Sequence, residues 1–106
     1  MSPIRAAKVD ANHGDVKRWL QGFGWFVVDT HEAPQYKAMR GFSDLLAICP
    51  EATVFVEVKA GKDEKLTADE GEFRQNVLRA GGRYAVAVTF DDVEFMTRVY
   101  WPGRVA

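Results

Sequence analysis

The chain has 106 residues, 47% of them hydrophobic and 27% charged, with a formal net charge of −1. That length suits one small domain with a single core, and the composition is that of a soluble globular protein rather than a disordered or fibrous one. Near-neutral charge excludes a generally basic coat for nucleic acid, and no apolar run approaches the ~20 residues of a membrane-spanning helix. The single cysteine, Cys49, has no partner for an internal disulfide or at zinc-ligand spacing, and at the end of an apolar strand it reads as a buried free thiol. Met1 to Asp10 lacks the apolar segment of a secretory signal, so a cytoplasmic location is expected.

Asn12 is placed to cap a first helix running to about Gln21, with Val16, Trp19 and Leu20 as its apolar stripe and Gly22 and Gly24 as its stop. Trp25 to Val28 reads as a strand. Thr30 to Arg40 then reads as a long loop bearing Pro34, Tyr36, Lys37 and Arg40, of a length often found where loops have a function. Strands over Asp44–Cys49 and Thr53–Lys59, joined by a turn at Pro50-Glu51-Ala52, form an expected hairpin. After a charged bend from Gly61 to Lys65, Thr67-Ala68-Asp69-Glu70 has the pattern of a capping box. It opens a helix whose stripe is Phe73, Val77 and Leu78, with Arg74 and Arg79 turned away and Gly81-Gly82 as the end. Tyr84 to Thr89 is a further strand, and Asp91 or Asp92 caps a short last helix through Val99. The order is α-β-β-β-α-β-α. A right-handed crossover through the Thr67 helix makes the last strand parallel to the Glu57 strand, giving an α/β fold with a mixed sheet flanked by helices.

The chemistry concentrates in Gly41-Phe42-Ser43-Asp44 and, thirteen residues after Asp44, in Glu57-Val58-Lys59. Strand alternation puts Glu57 and Lys59 on one face and Val54, Val56 and Val58 on the other. The hairpin then gathers Asp44, Glu57 and Lys59. Two carboxylates about 4 Å apart repel by roughly 4 kcal/mol at an effective dielectric near 20, more than one lysine offsets. A shared proton or a divalent cation relieves this, and Asp44, Glu57 and the Val58 carbonyl make half a coordination shell for Mg²⁺ or Mn²⁺. Lys59 would then orient or deprotonate a water, or stabilise charge on a phosphate. The competing reading is a surface hairpin with a solvated Glu57–Lys59 ion pair worth about 0–1 kcal/mol.

These residues, with Arg40-Gly41-Phe42-Ser43-Asp44-Leu45-Leu46, Phe55-Val56-Glu57-Val58-Lys59, Lys65-Leu66-Thr67 and Gly81-Gly82 in that order, resemble the VRR-NUC group of the PD-(D/E)XK nucleases, in its small phage-type form. The resemblance runs from about Asn12 to Thr89 and implies a restriction-endonuclease-like core. It implies metal ligation by Asp44, Glu57 and the Val58 carbonyl, a catalytic Lys59, and metal-dependent hydrolysis of DNA phosphodiesters. Three departures stand out. Ser43 replaces the usual proline before the first acid. Ala68 and Glu70 replace proline and glutamine at the second-helix start, so Glu70 either adds an acid directed at the metal or only closes the capping box. The usual glutamate of the first helix is missing. His13 stands near its place with Asp10 and Asp15 as neighbours, either as a ligand favouring Mn²⁺ over Mg²⁺ or as an exposed first-turn residue.

Lys17, Lys37 and Arg40 are candidates for contacts to DNA phosphates. The resemblance further implies branched or four-way-junction DNA as substrate, a homodimer, and a bacterial or phage-infected host cell. Trp25, Tyr100 and Trp101 are candidate interface aromatics, with burial of at least one of them expected. The alternative function is a DNA-binding or assembly module on the same fold that does not cut.

Overall fold

The computed structural model of the protein describes residues 12–105, so Met1 to Asp10, including Asp10 beside His13, lies outside the described residues. Helix α1 is His13–Phe23, β1 is Phe26–Asp29, a 3-10 turn spans Thr30–Glu32, and α2 is the single turn Pro34–Lys37. The hairpin strands β2 and β3 are Leu45–Cys49 and Ala52–Val58. Helix α3 (Ala68–Arg79), β4 (Arg83–Ala87) and α4 (Phe90–Tyr100) complete the chain. The expected order therefore holds, and the anticipated Thr30–Arg40 loop contains two short helical turns.

The four strands are ordered β1-β2-β3-β4, antiparallel except for the parallel β3–β4 pair. Strand β3 carries valines on one face, and Val54, Val56 and Val58 are buried with Val16, Leu20, Leu45, Ala47, Val93 and Met96 under α1 and α4. The opposite face carries Phe55 and Tyr84, covered by Phe73 and Val77 of α3 and flanked by Phe42 and Leu66. Two helices on one face and one on the other bury the central strands on both sides.

The helix ends explain several shifts from expectation. Asn12 precedes α1 but makes no side-chain cap. Its amide nitrogen instead donates to the Lys59 and Val88 carbonyls at 2.9 and 2.8 Å, tying the start of α1 to the ends of two strands. Gly22 lies inside α1, and Gly24 alone stops it, at φ +105°. The capping box of α3 is complete. In α4 the cap is Thr89, and Asp92 closes that box from the third helical position rather than capping it. Leu78, expected in the α3 stripe, is exposed.

Trp25 is buried, donates Nε1 to Thr97 Oγ1 at 3.0 Å, and meets Trp101 edge-on. The large exposed apolar side chains are instead Phe26 and Phe95, among others. Cys49 is half-buried, and its sulfur accepts the Glu51 N–H.

Candidate active site

The hairpin register positions the first acid. Leu45 pairs with Val56 and Ala47 with Val54. Extending that ladder by one residue sets Asp44 opposite Glu57, on the face that α3 covers. The turn before Asp44 is clamped at both sides. Gly41 has φ +75°, and a Cβ there would lie 2.1 Å from the Asp69 carbonyl oxygen, so the turn rests directly on the start of α3. Ser43 is fully buried and donates its hydroxyl to the Leu45 carbonyl at 3.0 Å, shaping the turn by a hydrogen bond where the resembled family has a proline ring. Thr30 Oγ1 lies 2.7 and 2.8 Å from the Ser43 and Asp44 carbonyls.

Asp44 faces two ways. Its Oδ2 accepts the Val58 N–H at 2.9 Å, and its Oδ1 lies 2.7 Å from His31 Nε2 and 3.8 Å from Lys37 Nζ. Glu57 and Lys59 are 3% and 5% exposed, which rules out the solvated surface pair. Glu57 Oε1 is buried with no hydrogen-bond partner. Burial, then the Asp44 charge, then hydrogen bonding and charge from Glu70 push the Glu57 carboxyl up to about 10.

Lys59 Nζ lies 3.9 Å from Glu57 Oε2, 3.7 Å from Glu64 and 2.8 Å from Glu70 Oε1. Burial opposes its charge, but the Glu70 hydrogen bond and the surrounding carboxylates outweigh burial and hold its pKa above the ordinary lysine value. The same Glu70 oxygen accepts the Thr67 N–H at 2.9 Å. The two readings of Glu70 are therefore not exclusive: one oxygen closes the capping box and holds the lysine. Against the cost of burial, those two bonds keep Glu70 below the usual carboxylate range.

A second polar group sits on the far side of Asp44. His13 is buried, so it is not an exposed first-turn residue. Its Nε2 lies 3.0 Å from Asp29 Oδ2, and Asp29 Oδ1 accepts the His31 backbone N–H at 3.0 Å. The two imidazoles meet edge-on with centroids 5.0 Å apart. Ligand atoms of His13, His31 and Asp44 all lie within 4.8 Å of one another, a group able to hold a metal ion. Lys17 contacts Asp29 at 3.2 Å and Glu32 at 3.3 Å. Burial opposes the Asp29 charge, but His13, then the His31 N–H and then Lys17 hold its carboxyl below the usual range.

The structure thus brings together Asp44, Glu57, Lys59, Glu70 and the Val58 peptide, with His13 beside them. Lys37 stands at the rim, where it also donates to the Phe42 carbonyl at 2.7 Å. Arg40 is exposed on a separate groove with Met39, Asp69 and Asn76. Sequence reasoning missed His31 and Asp29. The sequence shows only an Asp-x-His triplet beginning at the last residue of β1, and it is the strand register, pairing Asp29 with Leu45, that brings it beside Asp44.

A solved structure described as "VRR_NUC domain" superposes on this chain with a TM-score of 0.66, over 82% of this chain and 95% of that one, at 23% sequence identity. The fold is that of a VRR_NUC domain. No protein-family profile and no curated protein match the sequence. Within the VRR_NUC fold, the Asp44–Glu57–Lys59 cluster occupies the end of the central hairpin, where helix α3 closes over it. Among the described residues, no helix is long and apolar enough to cross a membrane.

Proposed function

We propose that this chain is a divalent-metal-dependent deoxyribonuclease that hydrolyses phosphodiester bonds. The observation that carries the reading is Glu57, a carboxyl buried between Asp44 and Glu70 with one oxygen unpartnered and a lysine at its side. A site used only for binding DNA gains nothing from clustered acids facing phosphate. Two buried carboxylates are donors suited to Mg²⁺ or Mn²⁺, and the unpartnered oxygen is free to receive one.

Asp44, Glu57 and the Val58 carbonyl would hold the ion. When bound, such an ion acidifies a water and offsets the negative charge that builds on phosphorus. Lys59, kept cationic by Glu70, would orient the attacking water or stabilise the phosphate oxygens. Lys37 at the rim would meet the DNA backbone.

Branched DNA, including four-way junctions, is the proposed substrate, cut by a homodimer whose two-fold axis places two sites on symmetric strands. One observation favours a second reading, a DNA-binding or assembly module that does not cut: α1 carries His13 where the resembled family has a glutamate. Cleavage of a panel of junction, flap, nicked and linear DNA in Mg²⁺, Mn²⁺ or EDTA separates the two. The nuclease reading expects metal-dependent cutting, lost in Asp44→Ala and Glu57→Ala with DNA binding kept or tightened, and lost in Lys59→Ala with metal still bound. Junction binding without cutting in either metal would sink it. Sedimentation of the purified protein tests the dimer.

A further inference from the structure

Asp44 shows one oxygen to the Val58 peptide and the other to His31, and the His31 side is built from residues that the hydrolysis described above does not require. We propose that His13, His31 and Asp44 form a second cation position, distinct from the Asp44–Glu57 one and selective for a first-row transition ion such as Mn²⁺ over Mg²⁺. The inference rests on the metal-dependent reading of Asp44 and extends it from one cation to two.

Three observations carry it. First, two imidazoles and a carboxylate converge with ligand atoms within 4.8 Å of one another, and the Glu57 carboxylate is not part of that group. The His31 Nε2 to Asp44 Oδ1 separation of 2.7 Å is near the ~3 Å edge of an octahedron with ligands at about 2.1 Å, so a cation replacing the shared proton requires the His31 ring to turn off the hydrogen-bond line but little separation of the two groups.

Second, the site has outer support of the kind metal-binding histidines have. One Asp29 oxygen receives His13 Nε2, which makes Nδ1 the basic nitrogen of the neutral ring, and the other holds the His31 backbone. Asp29 is itself anchored by Lys17. Third, His13 is buried at the start of α1, where Asn12 pins that helix to the ends of β3 and β4. Its position relative to Asp44 is therefore set by the fold. Imidazole nitrogen suits Mn²⁺ and later first-row ions better than Mg²⁺, which takes oxygen and keeps its water.

The test is Mn²⁺ binding followed by calorimetry and by electron-spin-echo spectroscopy, which detects nitrogen bonded to the ion. Wild-type protein is expected to bind two Mn²⁺ per chain, one of them nitrogen-coupled. Glu57→Gln keeps the nitrogen-coupled ion, while His31→Gln and His13→Gln lose it and retain the other. Mg²⁺ should compete for the nitrogen-coupled ion on the order of tenfold more weakly than Mn²⁺. Asp29→Asn, a change behind the ligands, should weaken that ion without removing its nitrogen signal. Absence of nitrogen coupling in both wild type and Glu57→Gln would overturn the proposal even if a histidine variant fails to fold, as would a His31→Gln protein, folded by circular dichroism, with unchanged stoichiometry. Nuclease activity is scored separately: a wild-type protein that cuts DNA but shows no nitrogen coupling loses only the second cation.

Discussion

Glu57 is a buried carboxyl whose ionised form the fold strongly disfavours. Its folded pKa of about 10 lies far above the ordinary glutamate value, because burial and the Asp44 and Glu70 carboxylates disfavour ionisation. The native state therefore keeps a proton that the unfolded chain releases, so stability falls as pH rises from about 4.5 towards 10. Below that window both states are protonated and glutamine is a fair isostere. Glu57→Gln is thus expected to raise the melting temperature of EDTA-treated protein at pH 8 by at least about 5 °C, the effect of ~1 kcal/mol in a domain this size. The gain should vanish near pH 4, and thermal melts at both pH values check it. The same residue scale explains Glu70. A glutamate can accept from Thr67 N–H and from a charged Lys59 at one oxygen, and it adds a negative charge that keeps the lysine protonated.

At the scale of elements, the Asp44 turn is held by contact rather than by its own hydrogen bonds alone. Gly41 sits at φ +75° against the Asp69 carbonyl, a place where any side chain would both strain the backbone and push α3 away. Gly41→Ala should destabilise the fold by about 3 kcal/mol in a denaturant titration and reduce cleavage, since the turn and Glu70 would shift together. A neutral effect on both would show that the turn and α3 are not in this contact in solution. The elements themselves were readable because each has its own local signal: Thr67 with Glu70, the valine alternation of β3, and the Pro50-Glu51-Ala52 turn, of which the structure puts Ala52 already in β3. Thr89 was hidden because a β-branched residue after an apolar run continues a strand as well as it starts a helix. The turn Pro34–Lys37 was hidden because one helical turn has no apolar period to detect.

Across the whole molecule, net charge says little about where DNA would lie. Lys17 is already paired with Asp29 and Glu32, and Arg40 opens onto a groove lined by Asp69 and Glu72, whereas Lys37 stands 3.8 Å from Asp44. Lys37→Ala should therefore weaken DNA binding and lower the slope of log K against log salt by about 1, with a smaller change for Arg40→Ala. Equal salt slopes in wild type and Lys37→Ala would remove that lysine from the binding surface.

The order of elements, the hairpin and the trio Asp44, Glu57 and Lys59 followed from the sequence by itself, because alternation and turn chemistry act over a few residues. Only the tertiary structure brought His13 from α1, Asp29 from the end of β1 and His31 from the turn after it to the far side of Asp44. Those contacts depend on how a helix and an edge strand dock on the sheet, and no local pattern encodes that docking.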